Sequence, residues 1–268
     1  MANIVRFCAA VAAARTGVQI HAYCVMSSHI HLIVTDVDGR LPEFAAWLNE
    51  FVAKCLNADQ GLWEGFWSND HYSAVQLETA DDVWAKLCYV LANPVSSWLV
   101  EAPEQWPGAM SKPDEFGTST TIERPPVFFR KKGKTPATAE LAITRPPLLG
   151  DLTDAEASRS LMERLKARTA ELVEEAKAAG RRFLGVAAVL LQSPTDAPTT
   201  HEPRRGLNPT LAAKDKDVRL AAIERLKQFR ADYRTALASW RKGERLIEFP
   251  HGTYWLRLFA GARCREAA

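Results

Sequence analysis

Two runs with strand patterning, residues 18–26 and 29–35, are separated only by Ser27-Ser28. A connection that short joins antiparallel neighbours, because parallel strands need a crossover of a dozen or more residues. In the first run Val18, Ile20, Ala22, Cys24 and Met26 take one face, and His21, Tyr23 and Val25 take the other. The second run reads His-Ile-His-Leu-Ile-Val-Thr and leads into a turn marked by Asp38-Gly39. Helical patterns flank the pair. Ile4, Phe7, Cys8 and Val11 recur at helical spacing ahead of Gly17, which ends that helix. Phe44, Trp47, Leu48, Phe51, Val52 and Cys55 form the apolar stripe of a helix over 41–57. A short strand is expected at 73–78. A helix follows at about 80–92, capped by Thr79, with Asp81 and Asp82 in its first turn. Pro94 bears on where that helix ends.

Beyond this point the pattern changes. Residues 101–126, rich in Pro, Ser and Thr, read as a linker or wrapping loop. Long charged helices are expected at 152–179 and 213–242, with a Pro/Thr/Arg loop at 192–210 and a strand-like aromatic tail at 246–259. The expected organisation is an α+β domain at 1–108 and a basic, mainly helical extension at 109–268.

Charge sharpens that division. Residues 1–110 hold five Lys and Arg against twelve Asp and Glu, a formal −7, so the remainder carries +9 of the net +2. A basic second half points to a polyanion partner there, although a solvated basic surface gives the same count. Five cysteines without a Cys-x-x-Cys spacing argue for reduced thiols, and against a zinc ribbon or a disulfide framework. No apolar run reaches membrane-spanning length, and the first helix has no basic leader region, so a cytoplasmic protein is expected. Gly133-Lys134-Thr135 lacks the upstream glycine of a phosphate-binding loop.

Two constellations carry possible chemistry. On a strand, His29 and His31 point the same way, which converges two imidazoles on one point and makes half of a metal site. The same spacing also suits a polar surface pair. On a helix, Lys86, Tyr89 and Asn93 share a face at i−3, i and i+4. On spacing alone, Tyr89 is equally a half-buried amphipathic residue, and Asn93 a residue at a helix end.

The segment His-Ala-Tyr-Cys-Val-Met-Ser-Ser-His-Ile-His-Leu-Ile-Val-Thr (21–35) resembles the His-hydrophobic-His segment of the HUH single-strand transposases. Tyr89-Val-Leu-Ala-Asn93-Pro94-Val95 resembles the Tyr-x-x-x-Asn-Pro-Val signature downstream in that family. The group most similar is the REP-associated tyrosine transposases, and the resemblance covers about the first 108 residues. It implies a ferredoxin-like antiparallel sheet with helices on one face. It implies His29, His31 and Asn93 as ligands of Mg2+ or Mn2+, and Tyr89 as the nucleophile. The reaction implied is cleavage and rejoining of single-stranded, hairpin-containing DNA through a 5′-phosphotyrosine, by a monomer or homodimer. The family usually has Asn where Ser28 stands, and a strand ahead of the first helix. The sequence opens at the helix, so a catalytic sheet lacking that strand is expected, and a DNA-binding relative that no longer cuts is the alternative.

The chemistry follows from general principles. A free phenol ionises near about pH 10, so it must lose its proton as it attacks phosphorus. Storing the bond energy in a covalent link removes any need for a nucleotide cofactor. For DNA contacts the expected residues are Lys86, Arg130, Lys131, Lys132, Arg181, Arg182, Arg204 and Arg205. Aromatics lie close by in sequence (Phe128, Phe129, Phe183, Trp240, Tyr254, Trp255), a mixture that suits phosphate contact and base stacking on a single strand. Core burial of the rings and solvation of the charges is the plain counterpart of that reading.

Overall fold

The computed structural model describes residues 1–63, 65–67, 72–193 and 209–266. The chain runs α1 (Ala2–Thr16), β1 (Gln19–Val25), β2 (Ile30–Thr35), α2 (Leu41–Gln60), β3 (Gln76–Leu77), α3 (Ala80–Leu91), α4 (Asn93–Ser96), β4 (Thr118–Glu123) and β5 (Thr138–Ile143). It continues through α5 (Asp154–Ala178), α6 (Val186–Leu191), β6 (Leu211–Ala212), α7 (Lys216–Arg241), β7 (Glu248–Phe249), α8 (Tyr254–Ala260) and β8 (Arg263–Cys264).

The hairpin forced by Ser27-Ser28 is present. β1 and β2 pair antiparallel from Gln19↔Thr35 to Val25↔Ile30, with an irregularity between Ile20 and Ala22 that makes His21 the extra residue of a bulge. Gly17 closes α1 in the left-handed conformation at φ 74°, where its missing Cβ removes the steric cost. Thr79 and Asp82 form a reciprocal capping box at the start of α3. Pro94 has no N–H to continue that helix, so α3 stops at Leu91 and α4 restarts at Asn93.

The sheet departs from the expected one in three respects. Its order is β2-β1-β5-β4, and β5 runs parallel to β1 through Ile20↔Ile143, so the sheet is mixed rather than antiparallel. Two of its four strands come from beyond residue 108, and β4 lies inside the stretch read as a linker. Thr-Ser-Thr-Thr-Ile-Glu looks polar enough for a loop. Its β-branched residues nevertheless suit a half-buried edge, with Ile122 buried and Thr118–Thr121 exposed. The wrapping half of the linker reading holds. Val25 N–H donates to Ala109 O (2.8 Å), Ser111 N–H to Tyr23 O (3.0 Å), and the Trp106 indole N–H to Val25 O (3.1 Å), sealing the edge of β1 that β5 leaves open.

The third departure concerns the helices, which cover both faces. Ile30 and Leu32 share a small void with Val5 and Ala9 of α1 and Leu48 of α2, whereas His31 meets Tyr89 of α3. Neighbouring strand residues point to opposite faces, so α1 and α2 lie on one side of the sheet and α3 on the other. Every residue of β1 after Gln19 is therefore buried. One apolar core runs from Ile4 to Leu172. A smaller cluster of Ala236, Phe249, Leu256 and Ala262 organises the C-terminal end. There the strand-like tail is a strand only at β7, and from Tyr254 it forms α8, on which Trp255 and Phe259 stand at i and i+4 with ring centroids 5.8 Å apart. All five cysteines are free thiols, four of them buried. Among the described residues no helix is long and apolar enough to cross a membrane.

Candidate functional site

His29 ends the turn and His31 is the second residue of β2, so strand alternation aims both rings at the same side. Their Nε2 atoms lie 2.9 Å apart, and the ring planes are nearly perpendicular (89°). At that separation one Nε2 carries a hydrogen and the other accepts it, so the pair holds an unprotonated nitrogen at its focus. Ser28 Oγ stands 3.0 Å from His29 Nδ1. A hydroxyl there can accept an Nδ1–H, which makes His29 Nε2 the acceptor of the pair. Residue identity alone gave no reason to choose Ser28. The signal lay in its place next to the histidine on a tight turn.

Both imidazoles are held neutral. Crowding by neighbouring atoms disfavours the charged form of His29. His31 is pushed down to about 4 by burial, then by His29 and by the Lys86 ammonium. Neutral imidazole is the form that binds a metal ion.

Tyr89 arrives from the far side of the chain's local order. The hydrophobic stripe of α3 packs Val83, Leu87 and Val90 into the core, which leaves Tyr89 47% exposed. Its ring meets His31 edge to face, with centroids 5.4 Å apart. Lys86 Nζ lies 4.7 Å from the centre of the Tyr89 ring. Asn93, the first residue of α4, is 5% exposed, and its Oδ1 is buried without a hydrogen-bond partner. A buried carbonyl oxygen left unpaired costs about 1–3 kcal/mol, so a hydrogen-bond donor or a cation is a physical expectation at that atom.

The two histidines by themselves have the spacing of adjacent ligands on a divalent ion. Ligand bonds of about 2.1 Å at a right angle set two donor atoms about 3 Å apart, the spacing of the two Nε2 atoms. Among the described residues no group of three or more His, Cys, Asp or Glu is placed to hold a metal. Asn93 Oδ1 is an oxygen donor that has no hydrogen-bond partner.

The other expected DNA contacts are scattered. Arg130, Lys131 and Lys132 are exposed in the β4–β5 loop. That loop joins the two strands farthest from β2, and β1 stands between β2 and the nearer of them. Arg181 stacks its guanidinium 4.6 Å from the centre of the Trp98 ring. Arg182 is exposed. Arg204 and Arg205 lie outside the described residues, as does most of the 192–210 loop. Beside Tyr89 opens a cleft of 460 Å3 between α3 and α5, to which Lys86, Ser96 and Arg168 contribute. Arg168 was not among the expected residues, because its helix reads as uniformly charged.

Comparison with protein-family models, with curated proteins and with solved structures finds no match to this chain.

Proposed function

We propose that this chain cleaves and rejoins single-stranded, hairpin-containing DNA, with Tyr89 as nucleophile and His29, His31 and Asn93 as the holders of Mg2+ or Mn2+. The observation that carries the reading is the meeting of Tyr89 with His31, whose Nε2 shares a focus with that of His29. α1, β1, β2 and α3 would then be the part of a ferredoxin-like arrangement that carries the site.

In the proposed step the Tyr89 oxygen bonds to phosphorus and the 3′ oxygen leaves. The phenol gives up one proton and the departing 3′ oxygen takes one up, so charge and atoms balance in a 5′-phosphotyrosine and a free 3′-OH. Attack by that 3′-OH, or by another, reverses the step without an added energy source. A bound divalent ion would supply positive charge to a non-bridging phosphate oxygen. Lys86, beside the phenol ring, adds positive charge where the phosphate would arrive. The depressed basicity of both histidines keeps them as ligands at neutral pH rather than as competing cations.

The test is incubation of the purified chain with labelled single strands containing hairpins, in Mn2+ or EDTA, followed by denaturing electrophoresis. A metal-dependent covalent adduct that is lost in Tyr89→Phe is expected. Cleavage that survives Tyr89→Phe would instead assign the histidines to a hydrolase that uses water. Salt-sensitive binding without any adduct would leave a DNA-binding relative that does not cut.

A further inference from the structure

α3, α4 and α5 lie side by side, and their contacts step along in the same order. Arg164 stacks 5.1 Å from the centre of the Trp84 ring. The cleft beside Tyr89 has Ala92 and Leu172 in its apolar floor and Lys86, Ser96 and Arg168 at its rim. Farther on, Arg181 stacks on Trp98. Guanidinium groups from the α5 side thus face aromatic rings from the α3–α4 side, with the candidate nucleophile in between.

Trp98 is the unusual member. Its backbone takes φ 54°, in the left-handed region that a bulky side chain avoids. The surroundings hold it there: Trp98 N–H donates to Val95 O (2.9 Å), Leu99 N–H to Pro94 O (3.0 Å), and Leu184 N–H to Trp98 O (2.9 Å). The result is an indole 39% exposed, backed by a guanidinium, shortly after the Asn93-Pro94 turn. The first two of these hydrogen bonds form a Schellman motif that closes α4 and sets the left-handed backbone at Trp98.

We infer that the α3–α5 groove holds the DNA strand next to the bond that Tyr89 cuts, with Trp98 as a platform for one base and Arg168 as a phosphate contact. This rests on the function proposed above. An apolar floor with a cationic rim suits a chain of flat rings joined by phosphates better than it suits an extended peptide. Arg168 pairs with Glu171 (2.8 Å) and Glu175 (3.1 Å), both more than half exposed. Exposed pairs of this kind are weak, so an arriving phosphate can exchange with them.

The experiment uses the full chain carrying Tyr89→Phe, so that nothing turns over. Single strands containing 5-iodouracil are irradiated and the cross-linked peptide is mapped by mass spectrometry. Affinity is read in parallel by fluorescence anisotropy. A cross-link at Trp98 is expected. Added Trp98→Gly should weaken single-strand binding roughly tenfold, the loss of about one stacked base, while Trp98→Phe retains most of it. Glycine accepts φ 54° without strain, which offsets part of the packing lost with the indole, and the melting temperature of Trp98→Gly is read alongside so that any loss of folded protein is separated from loss of binding. Arg168→Gln should weaken binding and flatten its salt dependence. Cross-links confined to the β4–β5 loop, with Trp98→Gly and Arg168→Gln binding normally, overturn the groove assignment, and the proposed reaction then stands or falls on adduct formation by the unaltered chain. A Trp98 cross-link with no adduct from that chain keeps the groove and removes the cleavage reaction.

Discussion

His21 sits in the bulge of β1 with its ring buried between two other strands. Nδ1 lies 2.8 Å from Thr144 O, and Nε2 lies 2.7 Å from Thr35 Oγ1. Burial lowers its pKa and outweighs the hydrogen bond to Thr144, which acts the other way. The folded chain therefore refuses a proton that the unfolded chain accepts near about pH 6.5. The stability linked to His21 is fully present above that pH and is lost as pH falls below it, by at most about 1.4 kcal/mol per pH unit. Urea midpoints between pH 8 and 5 should fall for the unaltered chain and fall less for His21→Gln. His29 and His31 have lowered values too and keep their part of the slope in the variant. Parallel curves for the two proteins would show that His21 is not the group responsible.

At the scale of elements, the start of α3 is a junction as well as a cap. Asp82 accepts from Thr79 N–H (3.1 Å), from Thr79 Oγ1 (2.6 Å) and from Lys214 N–H (2.8 Å) just ahead of α7. Burial pushes this carboxyl up, but the hydrogen bonds from Thr79 and Lys214 outweigh it and hold the group below its usual range. The adjacent parallel pairing of β3 with β6 joins the same two regions. Asp82→Ala removes a charged cap and leaves donors without partners, so a loss of about 2–3 kcal/mol is expected in urea unfolding. Hydrogen exchange should accelerate at the Lys214 amide. Glu78→Gln weakens the ion pair with Arg225, in which the Glu78 side chain is only 8% exposed although that of Arg225 is 60% exposed. Its cost should be about 1–3 kcal/mol, above that of a pair exposed on both sides.

For the whole molecule, the decisive fact is that the sheet is completed from beyond residue 108. A chain ending there keeps only β1 and β2, a two-stranded hairpin, which is marginal in water. It also loses Ile122, Leu141, Ile143, Leu161 and Leu165 from the core. At about 1.5–3 kcal/mol for each such side chain, that loss rivals the total stability of an ordinary domain, about 5–15 kcal/mol. A chain of residues 1–108 should show no cooperative urea transition and no near-ultraviolet circular dichroism. A chain of residues 1–192 should show both, since it retains the four-stranded sheet and the main core. Cooperative unfolding of the shorter chain would mean that β4 and β5 are accessories.

Local features were legible because they depend on neighbours in sequence. The two-residue connection dictated an antiparallel hairpin, the i, i+2 spacing put both histidines on one side of β2, and Gly17, Thr79 and Pro94 marked where helices begin and end. Periodicity says which residues of an element share a face. It does not say what covers that face. Whether α3 lies on the same side of the sheet as α1, whether β5 runs parallel to β1, and which residues of α5 border Tyr89 depend on competition among all the apolar surfaces of the chain. Such competition leaves no local signature. The sequence by itself determined the hairpin, the caps and the paired imidazoles. Only the tertiary structure decided that Tyr89 meets His31 and that a groove lined by Arg168 runs beside it, because those contacts join segments whose encounter is set by packing of the whole core.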